Sequence, residues 1–205
     1  RGTLLERRGA YAEALAAYEK ALTLDPSSAF LAGEAADLAL ELEDWPRAEK
    51  WARKRLELAP NDGKSSMILA RVLWSRGLEK EAGSAFEAAL KLDPASIDAI
   101  MALTGLVAPK DPKRARALLE HFRKENPDHA ARVLHELGKL DAQEGRYGAA
   151  VDKLRQSIAL DDGQSDPVRV TLAQIFEVSR DTAAAIAEYR KILTSIPDDY
   201  ELWAH

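Results

Sequence analysis

The sequence predicts an all-α fold of stacked helix pairs. Three observations carry that reading: a turn that recurs at a fixed interval, an apolar spacing of three and four between turns, and single breaks that split each interval in two. Asp25-Pro26, Ala59-Pro60 and Asp93-Pro94 follow one another at intervals of thirty-four residues. Asn126-Pro127 comes thirty-three later, Asp161-Asp162 thirty-five beyond that with Asp in place of Pro, and Ile196-Pro197 another thirty-five on. Before these turns lie Ala-rich segments such as Tyr11-Ala14-Leu15-Tyr18-Ala21-Leu22 and Ala82-Ala85-Phe86-Ala89-Leu90, whose apolar residues fall on one helical face. Ahead of each is a second helical stretch, separated from the first at Gly9, Glu43-Asp44, Gly77, Pro109 to Pro112, Gly145 and Arg180-Asp181. The unit is helix, turn, helix, turn. Glycine supplies the left-handed stop of the first helix, and proline after the second prevents it from running on.

Composition bounds what such a stack does. The chain has 205 residues, 46% hydrophobic and 31% charged, with apolar material for about one to two domains. No apolar stretch approaches the ~20 residues of a membrane span. With no Cys there is no disulfide framework, thiolate zinc site or cysteine nucleophile, and cysteine fixes no location; a cytoplasmic one is favoured and a periplasmic one stays open. A net charge of -5 argues against wrapping a phosphate backbone, so nucleic acid is not the expected partner. Arg1-Gly2-Thr3-Leu4 has neither an initiator Met nor a signal core, and the chain is expected to be a segment of a longer protein.

The residues resemble the tetratricopeptide-repeat family over the whole chain. Leu137-Gly138, Gly145-Arg146-Tyr147 and Ala150 follow the family's Leu-Gly, Gly-x-Tyr and Ala pattern in order. Leu69-Ala70, Leu73, Gly77, Ala82, Phe86, Ala89 and Pro94 repeat it, as do Leu172-Ala173, Phe176, Ala185, Tyr189 and Pro197. The resemblance implies a right-handed α-solenoid of antiparallel helix pairs, with complete repeats at 29–62, 63–96, 97–129, 130–164 and 165–199. Partial repeats flank them at 1–28 and 200–205, where Trp203 stands at the family's opening aromatic position. Small residues let the helices of a pair approach and large ones fill the seams, so the recurring positions are structural. Leu4-Leu5 and Trp203 at the two ends are expected to leave apolar faces that favour end-to-end association.

Departures from the pattern carry more information. Ala52, beside Trp51, replaces a bulky residue and Arg55 replaces a usual Ala, which predicts a rotated or loosened helix there. Ala108-Pro109-Lys110-Asp111-Pro112 is one residue short and holds two prolines, which ends the preceding helix early and predicts a change of curvature. Asp141 stands where Leu5, Leu73 and Phe176 stand in their repeats. Either it finds a basic partner such as Arg146, or a small register shift buries Leu140 in its place.

Nothing in the sequence organises a catalytic site. His121, His129, His135 and His205 are scattered, and His135-Glu136 lacks the second His four residues on that a zinc-binding helix requires. There is no glycine-rich phosphate loop and no Gly-x-Ser-x-Gly elbow, and the acidic pairs Asp161-Asp162 and Asp198-Asp199 fall at turns. No enzyme activity, metal or cofactor is expected. Binding remains, and the resemblance implies where: the first helix of each repeat lines a concave groove. Its residues are Phe30, Gly33, Asp37 and Leu40; then Lys64, Met67, Arg71 and Trp74; then Asp98, Met101, Gly105 and Ala108; then Arg132, His135, Lys139 and Ala142; then Val170, Gln174 and Glu177. Met67 and Met101 occupy equivalent places beside Trp74 and Leu40, which predicts an adaptable apolar floor, bordered by Lys64, Arg71, Arg132 and Lys139. The expected occupant is an amphipathic or acidic peptide, helix or loop. The alternative is that Met67, Met101 and Trp74 only pack the seam between first helices.

Family members that hold a chaperone's C-terminal carboxylate do so with paired Lys and Asn. Asp37, Arg71, Gly105 and Lys139 stand at the Asn positions, so that mode is not carried over. The clusters Arg47-Lys50-Arg53-Lys54 and Lys110 to Arg116 are interleaved with acids and read as solvated faces. Two functions follow: a protein-interaction scaffold in a larger assembly, of bacterial compositional character, or the regulatory arm of an enzyme whose catalytic domain lies elsewhere. An RNA-binding helical repeat is disfavoured by the acidic balance.

Overall fold

The computed structural model describes residues 2–160 and 166–195, with side chains for 9–160 and 166–193. Among the described residues there are eleven α-helices and no strand. They are α1 (Gly2–Leu24), α2 (Ala29–Glu41), α3 (Trp45–Leu58), α4 (Gly63–Ser75), α5 (Glu79–Leu92), α6 (Ile97–Val107), α7 (Pro112–Glu125), α8 (Ala130–Gln143), α9 (Tyr147–Leu160), α10 (Asp166–Val178) and α11 (Thr182–Ser195). A short 3₁₀ turn, Pro127–His129, leads into α8. The predicted turn residues Asp161-Asp162, Ile196-Pro197 and Asp198-Asp199, with Trp203 and His205, lie outside the described residues, as do the side chains of Leu4 and Leu5.

Helix starts are set by side chains that accept a backbone N–H in the first turn. Ser28 accepts from Leu31, Asp44 from Arg47, Asp62 from Ser65, Ser96 from Ala99, Asp111 from Arg114 and Asp181 from Ala184, at 2.9–3.3 Å. Helix ends share a second device. In four of the turns inside a helix pair, the N–H of Asp44, Leu78, Arg146 or Asp181 donates to the carbonyl five residues back, at 2.8–2.9 Å. That closure requires a left-handed residue just before the donor. Gly77 and Gly145 meet it at φ 72° and 74°, and Glu43 and Arg180 adopt it at 57° and 64° without being glycine.

Two expectations are corrected by the helices. Gly9 does not separate one helix from another, because α1 runs unbroken from Gly2 to Leu24 and Gly9 is not among the residues with positive φ. A lone glycine lowers helix stability by only about 1 kcal/mol, which the flanking Leu, Glu, Arg and Ala residues offset. Nor is α3 loosened around Ala52 and Arg55. Ala52 is fully buried, and the Arg55 guanidinium lies over Gly33 of α2, where any Cβ would overlap it. The large side chain on α3 is matched by the missing side chain on α2. The predicted early end of the helix before Pro109 is found, since α6 has 11 residues against 13 in α2, α4 and α10.

The chain divides into two compact units, 1–109 and 110–205, with the division inside the Ala108 to Pro112 turn. In the first, each helix from α1 to α6 packs on the next, and the first helices α2 and α4 also meet. Ala32, Ala35, Ala36, Ala39, Ala48 and Ala52 are fully buried there, which lets backbones approach while Leu15, Leu22 and Ile68 fill the seams. In the second, α7 to α11 pack successively and α8 meets α10. Its core is Ala150, Leu154, Val168, Leu172, Ile175, Phe176 and Ala185.

Candidate functional site

The first unit contains a cleft of about 940 Å³ whose walls come from the first helices α2, α4 and α6. Met67 and Met101, at equivalent places on α4 and α6, both line it half-buried. Leu40, 8% exposed, closes one side of the floor, and Trp74 stands above it with 39% of its surface exposed. The Trp74 ring also meets fully buried Phe86 edge-on at 6.0 Å between centroids and faces Gly105 of α6. Trp74 therefore packs against α5 and α6 through Phe86 and Gly105 and keeps part of its surface exposed.

Charge in the cleft is arranged differently from expectation. Asp37 of α2 and Lys64 of α4 form an ion pair with each other. Arg71 is exposed and has no described partner, although it lines the same cleft. Glu41, Asp93 and Asp98 line it as well, so four carboxylates face two cations. Of the two cations expected to border this floor from the first unit, Lys64 is thus engaged within the chain. Glu41, Trp45, Asp93 and Ser96 are lining residues the sequence reading missed. Glu41 was accessible, four residues after Asp37 on the same helix face; Asp93 and Ser96 come from a turn between repeats, which a reading confined to first helices leaves out.

The remaining predicted residues are placed otherwise. Phe30 is 65% exposed but does not line the cleft. Gly33, expected to face the groove, is buried beneath Arg55. Arg132, His135 and Lys139 belong to the second unit. Lys139 pairs with Glu136 at 2.9 Å and lines a smaller cleft of about 340 Å³ with Gln174 and Val178. His135 meets the Thr171 hydroxyl at 2.9 Å, and burial holds its pKa below the ordinary imidazole value against the raising effect of Glu136.

Asp141 shows what the second unit does with a charge in an apolar layer. It is 1% exposed and Leu140 beside it is 6% exposed, so both residues are buried and no register shift is needed. Arg146 donates to Asp141 Oδ1 at 2.7 and 2.9 Å, Arg116 of α7 to the same oxygen at 2.7 Å, and Lys153 of α9 to Oδ2 at 2.6 Å. Glu144 accepts from Arg116 at 2.8 Å and also from Arg146. Burial acts to raise the Asp141 pKa, but the hydrogen bonds from Lys153 and Arg146 and the charge of Arg116 outweigh it and hold the carboxyl below its ordinary range. In the outer basic cluster of α3, Arg47 pairs with Asp44, Arg53 with Glu49 and Lys54 with Glu57. Among the described residues no group of three or more His, Asp or Glu converges to hold a metal ion, and no helix is long and apolar enough to cross a membrane.

Stacked helix pairs with small residues at their contacts and a cleft walled by first helices define a helical-repeat protein of the interaction type. The chain belongs to the tetratricopeptide-repeat family: models of that repeat match residues 5–72, 64–96 and 109–196. No curated protein matches it in sequence. Among solved structures it is similar to YrrB, described as a repeat protein with an unusual peptide-binding site, at 20% identity and TM-score 0.59, over 90% of this chain and 94% of that one. It is similar to pilF of Pseudomonas aeruginosa at 19% identity and TM-score 0.67, over 85% of this chain and 79% of that one. MamA of Desulfovibrio magneticus RS-1 matches at 18% identity and TM-score 0.63, over 82% and 94%. At these identities the likeness is one of fold.

Proposed function

We propose that this chain is a protein-interaction scaffold whose first unit holds a segment of a partner protein, a peptide, helix or loop, in the cleft between α2, α4 and α6. The observation that carries the reading is a concave site of about 940 Å³ in which two methionines and a partly exposed tryptophan lie together on a frame of buried alanines. Methionine is unbranched and polarisable and adapts to differing apolar side chains, while a tryptophan fixed along one edge offers a rigid anchor. Arg71 and Trp74 orient what enters, and Asp37 with Lys64 closes one wall. The fold likeness to YrrB, itself described as having a peptide-binding site, adds support.

Panning a display library of random sixteen-residue peptides against the chain tests the reading. Enriched peptides are expected to protect amides of α2, α4 and α6 from hydrogen exchange and to lose binding in Met101→Asp, while Met101→Leu retains it. Peptides that protect only other helices and bind Met101→Asp unchanged would place the contact surface elsewhere.

A further inference from the structure

We infer that the second unit carries a binding site of its own, the cleft between α8 and α10, and that it takes an extended, uncharged stretch of a partner's chain, held by its main-chain amides around one aliphatic side chain. The inference goes beyond the docking reading above and does not rest on it, since every lining residue lies within 110–205. Apolar surface comes from buried Ile175, from Val178, 64% exposed at the end of α10, and from the half-buried Tyr147 ring at the start of α9. Beside it stand the exposed carboxamides of Gln143, at the end of α8, and Gln174 of α10. Neither carboxamide has a hydrogen-bond partner among the described residues, and neither has the Tyr147 hydroxyl. Thr171 is already engaged, donating to the Pro167 carbonyl at 3.1 Å and meeting His135 at 2.9 Å. Charge enters this lining once, at Lys139, and Glu136 takes it up at 2.9 Å. A charged side chain entering here would leave water for Ile175 and Val178 with no unpaired opposite charge to meet it, so the fitting occupant is uncharged. Its backbone form follows from what the three unpartnered groups require. Each carboxamide offers donors and an acceptor, and the phenol offers both. A helical segment satisfies its main-chain N–H and C=O groups within its own turns and brings none to them away from its ends. An extended segment leaves those groups available while its side chains alternate between faces, so one aliphatic residue lies on Ile175 and Val178 as its flanking peptide groups face Gln143 and Gln174. The volume of about 340 Å³, against about 940 Å³ in the first unit, limits the occupant to a short stretch.

The test is a display library of random eight-residue peptides panned on the chain after depletion on Gln174→Leu combined with Val178→Asp, two exposed positions whose substitution leaves the core in place. Synthetic copies of the enriched peptides, blocked at both ends, are expected to be uncharged around one Leu, Ile or Val and to protect amides of α8 and α10 from hydrogen exchange. Their affinity, read by fluorescence anisotropy, is expected to change less than twofold between 50 and 300 mM salt, because no ion pair forms. Gln174→Leu alone is expected to weaken them at least fivefold, and so is an ester in place of the peptide amide beside the aliphatic residue. Met101→Asp, in the first unit, is expected to alter their affinity less than twofold. Enrichment of peptides whose Asp or Glu is required for binding, full affinity of the ester, or no enrichment beyond the depleted variant overturns the inference. Loss of binding in Met101→Asp overturns it as well, by seating the peptides in the first cleft, whereas a first cleft that binds nothing would overturn the docking reading alone.

Discussion

Leu73 in the first unit and Asp141 in the second occupy the same place in their repeats, and both are buried, at 5% and 1% exposure. One layer is apolar and the other is a carboxylate held by Arg116, Arg146 and Lys153. The backbone is indifferent to this: the turn after each closes with the same hydrogen bond, from Leu78 to Leu73 and from Arg146 to Asp141. A repeat thus prescribes where a side chain goes and not its chemistry, provided neighbouring helices supply compensating charge. The two units differ in what they leave available. In the second, the cations around Asp141 are tied to carboxylates inside the unit; in the first, Arg71 and one edge of Trp74 stay open in the cleft.

The largest expected effect breaks the apolar side of that contrast. Phe86→Ala removes a fully buried ring and the support of Trp74, and is expected to cost about 4 kcal/mol, read as a lowered urea midpoint with lost exchange protection in α4 and α5. Next is Asp141→Ala, expected to cost about 3 kcal/mol because it leaves three cations without their shared acceptor. Asp141→Leu, which restores the residue type found at Leu73, is expected to cost less. The Asp141 contribution has a defined pH sense. Its folded pKa lies below the ordinary 3.8, so the stabilisation is complete at neutral pH, begins to fade as pH falls toward that value, and is gone once pH drops through the lowered one. Urea midpoints of the parent chain and of Asp141→Leu, compared from pH 7 to pH 2, are expected to converge in acid.

Trp74→Ala probes the contrast from the other side. Half-packed against Phe86, Trp74 is expected on truncation to lose about 1 kcal/mol of stability, and about 2 kcal/mol of affinity for a cleft-bound peptide. Calorimetry of binding beside denaturant melts separates the two, and equal losses would make Trp74 a packing residue only. The smallest effect has the opposite sign. Arg180→Gly relieves a left-handed non-glycine residue at φ 64° and is expected to stabilise the second unit by about 0.5–1 kcal/mol, read as a raised urea midpoint.

Much of this architecture is legible in the amino-acid order, for a physical reason. A repeat that contacts only its neighbours writes its constraints locally, so the spacing of Asp25-Pro26, Ala59-Pro60 and Asp93-Pro94 and the apolar positions of three and four already require helix pairs. Gly77 and Gly145 announce their turns because only glycine is at ease there, whereas Glu43 and Arg180 show the same turn made without that signal. Gly9 misled for the converse reason, since a glycine's freedom at φ > 0 is an option that α1 does not use.

Of the candidate site, the resemblance to the family implied which helices form the walls, and the repeat period placed Met67 and Met101 at equivalent positions beside Trp74 and Leu40, because equivalent positions on stacked repeats become neighbours. Packing in space was needed to establish that Gly33 is covered by Arg55, that Lys64 is taken by Asp37, that three cations reach Asp141, and that Glu41 and Asp93 join the cleft lining. Those outcomes depend on long charged side chains reaching across from other helices. Periodicity sets where a backbone runs, but the reach and pairing of a flexible side chain are chosen among several partners at similar distance, and that choice is made in three dimensions.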